Sequence, residues 1–293
     1  MNAVTSLALT QWLDQPSAAD QDAAFNALEG GQVLWLPQLP FSLQPAEERL
    51  VASDLAAFAK AKNISLSVDG QTLRGVECSD ADREVLRAMM WRFATAARTL
   101  VGQLMPRYAG ALQPGRTSFR PVEIAGRQTS WRKDDTRLHV DSFPSSPTGG
   151  ARILRVFSNI NPQRQTRQWR LGEPFEQVAQ RYVPTLGAPV WGSSAVLKAL
   201  GITKQRRTAY DHYMLGLHDR MKADLAYQAS AEQIVHEFPA GTSWMVYTDQ
   251  ASHAAMRGQH ALEQTFLLPV QAMREPQRSP LRVLEQMLGR SLV

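Results

Sequence analysis

Arg137-Leu-His-Val-Asp-Ser-Phe143 is a short β-like run with two metal-ligand residue types in it. Residues i and i+2 of a strand point to the same face. His139 and Asp141 therefore project together, while Leu138 and Val140 turn the other way into packing. An imidazole and a carboxylate so placed make two thirds of the 2-His-1-carboxylate facial triad of non-haem Fe(II) oxygenases. The motif by itself is weak. With 6 histidines and 27 acids in the chain, about half an H-x-[DE] arises by chance. Taken alone, the better reading is a strand-end histidine hydrogen-bonded to a neighbour.

The wider pattern changes that balance. More than a hundred residues later comes Phe238-Pro-Ala-Gly-Thr-Ser-Trp-Met-Val-Tyr-Thr-Asp-Gln-Ala-Ser-His253. It reads as a Gly turn, an alternating strand, a short turn and a histidine, with a further strand over Ala261–Val270. In a double-stranded β-helix the H-x-D pair and a distal histidine sit on adjacent strands at one mouth of the barrel. His253 suits the distal position, and His260 competes with it. His212 and His218 fall on a helix, and His236 precedes the Gly turn. A hydrolytic zinc site could use the same three ligands.

Working outward, the first hundred residues read as mostly helical. The candidates are Ala18–Leu28, Pro45–Lys62 and a long helix from Ser79 to Leu104, with a short strand at Gln32–Leu36. In the long helix, Val85, Leu86, Met89, Met90, Phe93, Ala97, Leu100, Val101 and Leu104 recur at helical spacing, and Pro106 ends it. After Pro114–Gly115 the texture becomes β. Strands are predicted at Thr117–Ile124, Leu138–Phe143, Arg152–Ile160, Ser243–Thr248 and Leu262–Val270, and helices at Phe175–Tyr182 and Thr208–Ala226. The predicted fold is α+β. A helical layer (1–114) packs on a double-stranded β-helix, jelly-roll or cupin-like core (115–272) with inserted helices, and a carboxy-terminal amphipathic helix (273–293) closes the chain.

Composition bounds the function. A hydrophobic fraction of 44% and a charged fraction of 20% describe an ordinary globular chain and exclude wholesale disorder. The single cysteine, Cys78, excludes an internal disulfide and a cysteine-based zinc site. Glycine-rich phosphate loops and a G-x-S-x-G elbow are absent. The net charge of +5 suits an acidic partner. No basic run is interleaved with aromatics, which argues against a nucleic-acid partner.

Five stretches resemble the Kdo hydroxylase family. They are Thr129 through Ser145, Gly150-Ala-Arg-Ile-Leu-Arg-Val-Phe-Ser-Asn-Ile-Asn-Pro162, Trp169-Arg-Leu-Gly-Glu-Pro-Phe175, Tyr210-Asp-His-Tyr-Met-Leu-Gly-Leu-His-Asp-Arg-Met-Lys222, and Phe238 through His253. The resemblance covers about residues 115–270. It implies an Fe(II)- and 2-oxoglutarate-dependent dioxygenase that hydroxylates carbon 3 of the outer Kdo sugar of Kdo-lipid A in lipopolysaccharide assembly. It also implies His139, Asp141 and His253 as iron ligands, with ascorbate a candidate reductant. One departure stands out. Many dioxygenases anchor the distal carboxylate of 2-oxoglutarate with a base ten or more positions past the distal histidine. Here that stretch is Glu263-Gln-Thr-Phe-Leu-Leu-Pro269, with no base. Arg155, on one face with Phe157, Asn159 and Asn161, is the first choice of anchor, with Asn159 beside it. Arg257 is the second. Arg120, Arg132, Lys133 and Arg137 flank the motif and are candidates for acidic substrate groups, although for any single one of them a solvated basic edge is the better reading.

Two rivals remain: a 2-oxoglutarate dioxygenase for another acidic substrate, and a non-catalytic jelly-roll binding protein. The amino terminus carries no secretory signal pattern and no stretch reads as a membrane span. The expectation is a cytoplasmic protein that meets its glycolipid at the inner-membrane surface, with self-association left open. Leu281, Leu284, Met287 and Leu288 share a helical face flanked by Arg274, Arg278, Arg282 and Arg290. That is the pattern of a weak interfacial helix, or of one that packs on the core or on another subunit.

Overall fold

The structure is a computed structural model. It describes residues 2–52, 62–190 and 192–293. Among these, eleven strands appear: β1 (Val4–Ser6), β2 (Val33–Leu36), β3 (Ile64–Leu66), β4 (Leu73–Arg74), β5 (Gln113–Arg120), β6 (Arg152–Asn159), β7 (Arg167–Leu171), β8 (Ile234–Phe238), β9 (Ser243–Tyr247), β10 (His253–Arg257) and β11 (Ala261–Leu268). They form an eight-stranded sheet in the order β1-β2-β9-β6-β11-β5-β3-β4 and a three-stranded sheet in the order β10-β7-β8. Every pairing is antiparallel except β1 with β2.

Side-chain parity on β6 builds the two layers. Leu154 and Val156 face the helices and join the main core. Phe157 faces the small sheet, in a second core with Trp169, Leu171, Phe238, Trp244 and Val246. Two sheets closed over a shared apolar filling make the double-stranded β-helix that the motif spacing predicted.

The helix α1 (Ala18–Glu29) and, after α2 (Pro45–Ala52), the long helix α3 (Asp80–Leu104) cover the outer face of the large sheet. Ser79 caps α3 by accepting from the Asp82 amide at 3.1 Å. Leu86, Met89, Met90, Phe93, Ala97, Leu100, Val101 and Leu104 are all buried on its inner face. Full burial of side chains of this size stabilises by roughly 1.5–3 kcal/mol each before entropy is counted. Residues 53–61 of the predicted Pro45–Lys62 helix lie outside the described residues. The amino-terminal part is more than a helical layer: β1 and β2 form one end of the large sheet, and β3 and β4 the other.

The remaining helices are α4 (Phe175–Tyr182), α5 (Ser193–Ala199), α6 (Ala209–Ala223), α7 (Leu225–Ser230) and α8 (Pro280–Leu288). A capping box between Thr208 and Asp211 starts α6. At α8 the structure supports the alternative of packing on the core: Pro280 is buried, and Leu281, Val283 and Leu284 are buried in the main core. Its surrounding arginines are engaged as well: Arg274 with Asp22, Arg278 with Glu275 and Arg282 with Glu285. Among the described residues no helix is long and apolar enough to cross a membrane.

Candidate metal centre and its cavity

His139 is held by an isolated antiparallel bridge. Its amide donates to the His253 carbonyl at 3.0 Å, and the His253 amide donates back at 2.9 Å. Two residues on, the Asp141 amide donates to the Thr248 carbonyl at 2.7 Å. The predicted strand Leu138–Phe143 is thus an extended segment pinned at two points rather than a laddered strand. Its parity is as expected: Leu138 and Val140 are fully buried in the main core, while His139 and Asp141 face the cavity between the sheets. His253 opens β10, opposite Leu171 of β7.

One ligand atom each from His139, Asp141 and His253 lies within 4.8 Å of the others. His139 Nδ1 is 2.7 Å from the Arg137 carbonyl, and His253 Nδ1 is 2.9 Å from the Ala251 carbonyl. A carbonyl only accepts, so each Nδ1 carries the proton and each Nε2 presents a lone pair. Burial, and then His139, push the His253 pKa down to about 3. Burial lowers that of His139 as well. Burial alone would raise Asp141, but the Arg155 guanidinium beside it holds it well below the carboxylate range. Asp141 Oδ2 is buried without a hydrogen-bond partner, with Arg155 Nη2 2.9 Å away in an ion pair. Two neutral imidazoles and an anionic carboxylate, deprotonated as metal binding requires, fit a divalent iron of the facial-triad kind. Trp169 stacks on the His253 ring at 5.2 Å and braces it.

The cavity here has a volume of about 340 Å³, room for a small diacid and part of a sugar. Four guanidiniums line it: Arg120, Arg155 and Arg167, and the more exposed Arg132. Glu263 Oε1 accepts from Arg155 Nη1 at 3.0 Å, and Glu263 Oε2 from Arg120 Nε at 2.8 Å. Arg167 differs. It is 2% exposed and donates to the Gly258 carbonyl at 3.1 Å. Its Nε has no hydrogen-bond partner, and no acid of the described residues lies within 4.0 Å of it. Burial, then Arg120, bring its pKa down to about 9. A guanidinium left with an unfilled buried donor fits a carboxylate ligand.

Residues 11–291 match the family model described as 3-deoxy-D-manno-oct-2-ulosonic acid (Kdo) hydroxylase. The chain belongs to the Kdo hydroxylase family. It is similar to a crystal structure of the Kdo hydroxylase KdoO, described as a non-haem Fe(II) α-ketoglutarate-dependent dioxygenase, in complex with cobalt(II). The identity is 47% and the TM-score 0.96, over 99% of this chain and 97% of that one. The KdoO complexes with α-ketoglutarate and Fe(III), and with succinate and Fe(III), are 47% and 46% identical with TM-scores of 0.95, at the same coverage. No curated protein matches the chain.

Within this Kdo hydroxylase fold, the residues expected from sequence sort into two groups. His139, Asp141, His253, Arg155, Arg120, Arg132 and Lys133 line the cavity. Arg132 is at its rim, packed over the Trp131 ring and bonded to Asp219 at 3.0 Å. Asn159 is not part of the cavity: it is buried among the carbonyls of Gln165 and Phe238, to which its amide donates. Arg257 points outward to Glu237 at 2.7 Å, on the exposed end of β10. Arg137 is committed to Asp134 and the Lys222 carbonyl. His260 is away from the metal centre, with Nδ1 3.3 Å from Asn161 Nδ2. Cavity groups missed from sequence include Arg167, His218 and Lys222; also missed was Glu263, which lies outside the lining and pairs with Arg120 and Arg155. Arg167, Trp169 and Leu171 alternate inward along β7, a period-2 signal that the arginine disguised. His218 and Lys222 sit four apart on α6, a helical spacing read as solvated or packed.

Proposed function

We propose that this chain hydroxylates carbon 3 of a Kdo sugar, the outer one of Kdo-lipid A, using Fe(II) and 2-oxoglutarate. The observation that carries the reading is the converging His139–Asp141–His253 donor set in a chain that aligns with the Kdo hydroxylase family over residues 11–291. In this proposal the three side chains hold the iron through His139 Nε2, His253 Nε2 and an Asp141 carboxylate oxygen. Fe(II) with 2-oxoglutarate supplies the activation of dioxygen that C–H hydroxylation needs, with ascorbate as a reductant.

The protein's own part is to hold, orient and exclude water. Arg155 keeps the Asp141 carboxylate ionised and turned toward the metal site. Glu263, between Arg155 and Arg120, fixes both guanidiniums. Arg167 receives the distal carboxylate of 2-oxoglutarate, in place of a base after the distal histidine. It is favoured over Arg155 because Arg155 is already engaged by two acids. Trp169 and Phe157 give the cavity an apolar wall. The cytoplasmic side of the inner membrane is the proposed place of work, with the basic rim at Arg132 and Lys133 turned to the acidic glycolipid.

The test combines product and site. Incubation with Kdo-lipid A, Fe(II) and 2-oxoglutarate is expected to yield a product with a hydroxyl on carbon 3 of the outer sugar, located by NMR. His139→Ala, Asp141→Ala and His253→Ala are each expected to lose Co(II) binding and turnover, while His260→Asn keeps both. Arg167→Met is expected to raise the 2-oxoglutarate KM by on the order of 10- to 100-fold, as loss of a charge-assisted contact implies. Its KM for the glycolipid should move far less. An unchanged 2-oxoglutarate KM removes Arg167 from the role, and turnover in His253→Ala overturns the distal ligand.

A further inference from the structure

Most of the cations around the cavity have an acid partner. Lys62 pairs with Asp135 at 2.9 Å, Arg120 with Glu263, Arg155 with Asp141 and Glu263, and Arg132 with Asp219. Two buried cations are left over. One is Arg167. The other is Lys222, 2% exposed on the inner face of α6. Its ammonium donates to the Arg132 carbonyl at 3.0 Å, one bond from a group with three donors. No acid of the described residues lies within 4.0 Å of it; Asp135 and Asp141 act on it only from farther away. A buried ammonium without a counter-ion destabilises the fold, and an anion arriving in the cavity reverses that.

One helical turn earlier, His218 faces the same cavity, as i and i+4 on a helix must. Its ring meets the His139 ring edge-on, with centroids 5.4 Å apart. Its Nδ1 is 3.0 Å from Asp219 Oδ1, and Asp219 also accepts from Arg132. The Lys222 ammonium, one turn on from a ring that touches His139, matches a carboxylate on a molecule held at the metal centre.

We infer that Lys222 is the receptor for the substrate's carboxylate, so that this face of α6 selects a sugar acid. The inference rests on the function proposed above and deepens it. In a 3-deoxy-2-ulosonic acid the carboxylate is carbon 1, two bonds from carbon 3. Any pose that brings carbon 3 to the metal brings the carboxylate with it, so its receptor must stand against the metal centre. Lys222 stands there, while the rim cations Arg132 and Lys133 are left for more distant acidic groups. Arg167 and Lys222 then answer the two anions that the reaction brings together.

The test is calorimetric binding of a Kdo glycoside and of its carboxamide to the Co(II)-loaded, 2-oxoglutarate-bound protein. Wild type is expected to prefer the acid by on the order of 10- to 100-fold, the worth of a charge-assisted hydrogen bond. Lys222→Met is expected to bind the acid no better than the carboxamide. Without ligand its Tm should equal or exceed the wild-type value, since a buried unpaired charge has gone; a lysine with only a structural role would give a fall. If Lys222→Met fails to take up Co(II), Lys222→Gln replaces it in the same comparison. A Lys222 variant that still prefers the acid overturns the inference and leaves the proposed function standing. A wild type that loads Co(II) and 2-oxoglutarate yet binds neither sugar contradicts the proposed substrate, and the inference falls with it.

Discussion

Glu263 is buried and is the counter-ion for two largely buried guanidiniums, Arg120 and Arg155, at once. Burial would raise its pKa, but Arg120 and Arg155 hold it below the ordinary value. Glu263→Ala leaves both arginines buried without it, and breaking such a pair costs about 3–5 kcal/mol. Urea denaturation of the metal-free protein is expected to show a loss of that size; a loss under about 1 kcal/mol would equate the cluster with a surface pair. His260 makes a separate statement about pH. It is buried, and burial lowers its pKa from 6.5 to about 4 against a weaker pull from Glu123. The folded state therefore binds fewer protons than the unfolded chain below pH 6.5. Its neutral form adds stability that is present above that pH and is lost as pH falls toward about 4. His260 also has φ 57, in the left-handed region, which asparagine tolerates better than most residues. Thermal melts from pH 7 to pH 4 are expected to decline less steeply for His260→Asn than for wild type. Parallel declines would show that this histidine does not set the slope.

At the level of elements, α8 is a structural closure. Leu284 is fully buried, and past the helix the Leu292 carbonyl accepts from the Tyr210 amide at 3.1 Å, tying the tail to α6. Leu284→Ala is expected to cost about 2–5 kcal/mol in chemical denaturation. Ending the chain at Gln277 should produce aggregation rather than release from vesicles. The apolar face of α8 was legible in sequence, but its partner was not, because a hydrophobic stripe does not say whether lipid or protein covers it. The same asymmetry runs through the fold. The long helix α3 was readable to within a residue, since its cap, its stripe and its terminating proline agree. The strands β6, β9 and β11 were readable from alternation and turns. β5 begins four residues before its predicted start because Pro114 and Gly115, taken as a break, lie inside it. Their pairing with β11 shifts register between Gln264 and Phe266, and a Cβ on Gly115 would come within 3.1 Å of the Thr265 carbonyl. The strands β7 and β8 were missed because charged residues occupy inward or alternating positions there. For the same reason Arg167 escaped notice while His139, Asp141 and His253 did not: ligand types at ligand spacing are a local signal, whereas an unpaired buried cation exists only after folding.

At the level of the whole molecule, the two sheets and the helical layer divide the work. The large sheet, backed by α1 and α3, is the rigid support for Arg120, Arg155 and Glu263. The small sheet carries His253, Trp169 and Arg167, and the pinned segment at His139 bridges to it. α6 overlies the cavity with His218 and Lys222. The candidate metal donor set and the proposed 2-oxoglutarate and sugar-acid sites thus draw on separate parts of the chain, and only the closed fold assembles them. The central claim is that this assembly transfers one oxygen atom from dioxygen to a Kdo sugar. The most direct measurement is mass spectrometry of Kdo-lipid A after incubation of the anaerobically purified protein with Fe(II), 2-oxoglutarate and isotopically labelled dioxygen, with succinate counted alongside. The expected result is a product heavier by one labelled oxygen, on the Kdo portion, with succinate formed one for one. A glycolipid of unchanged mass, or a product whose new oxygen comes from water, would contradict it.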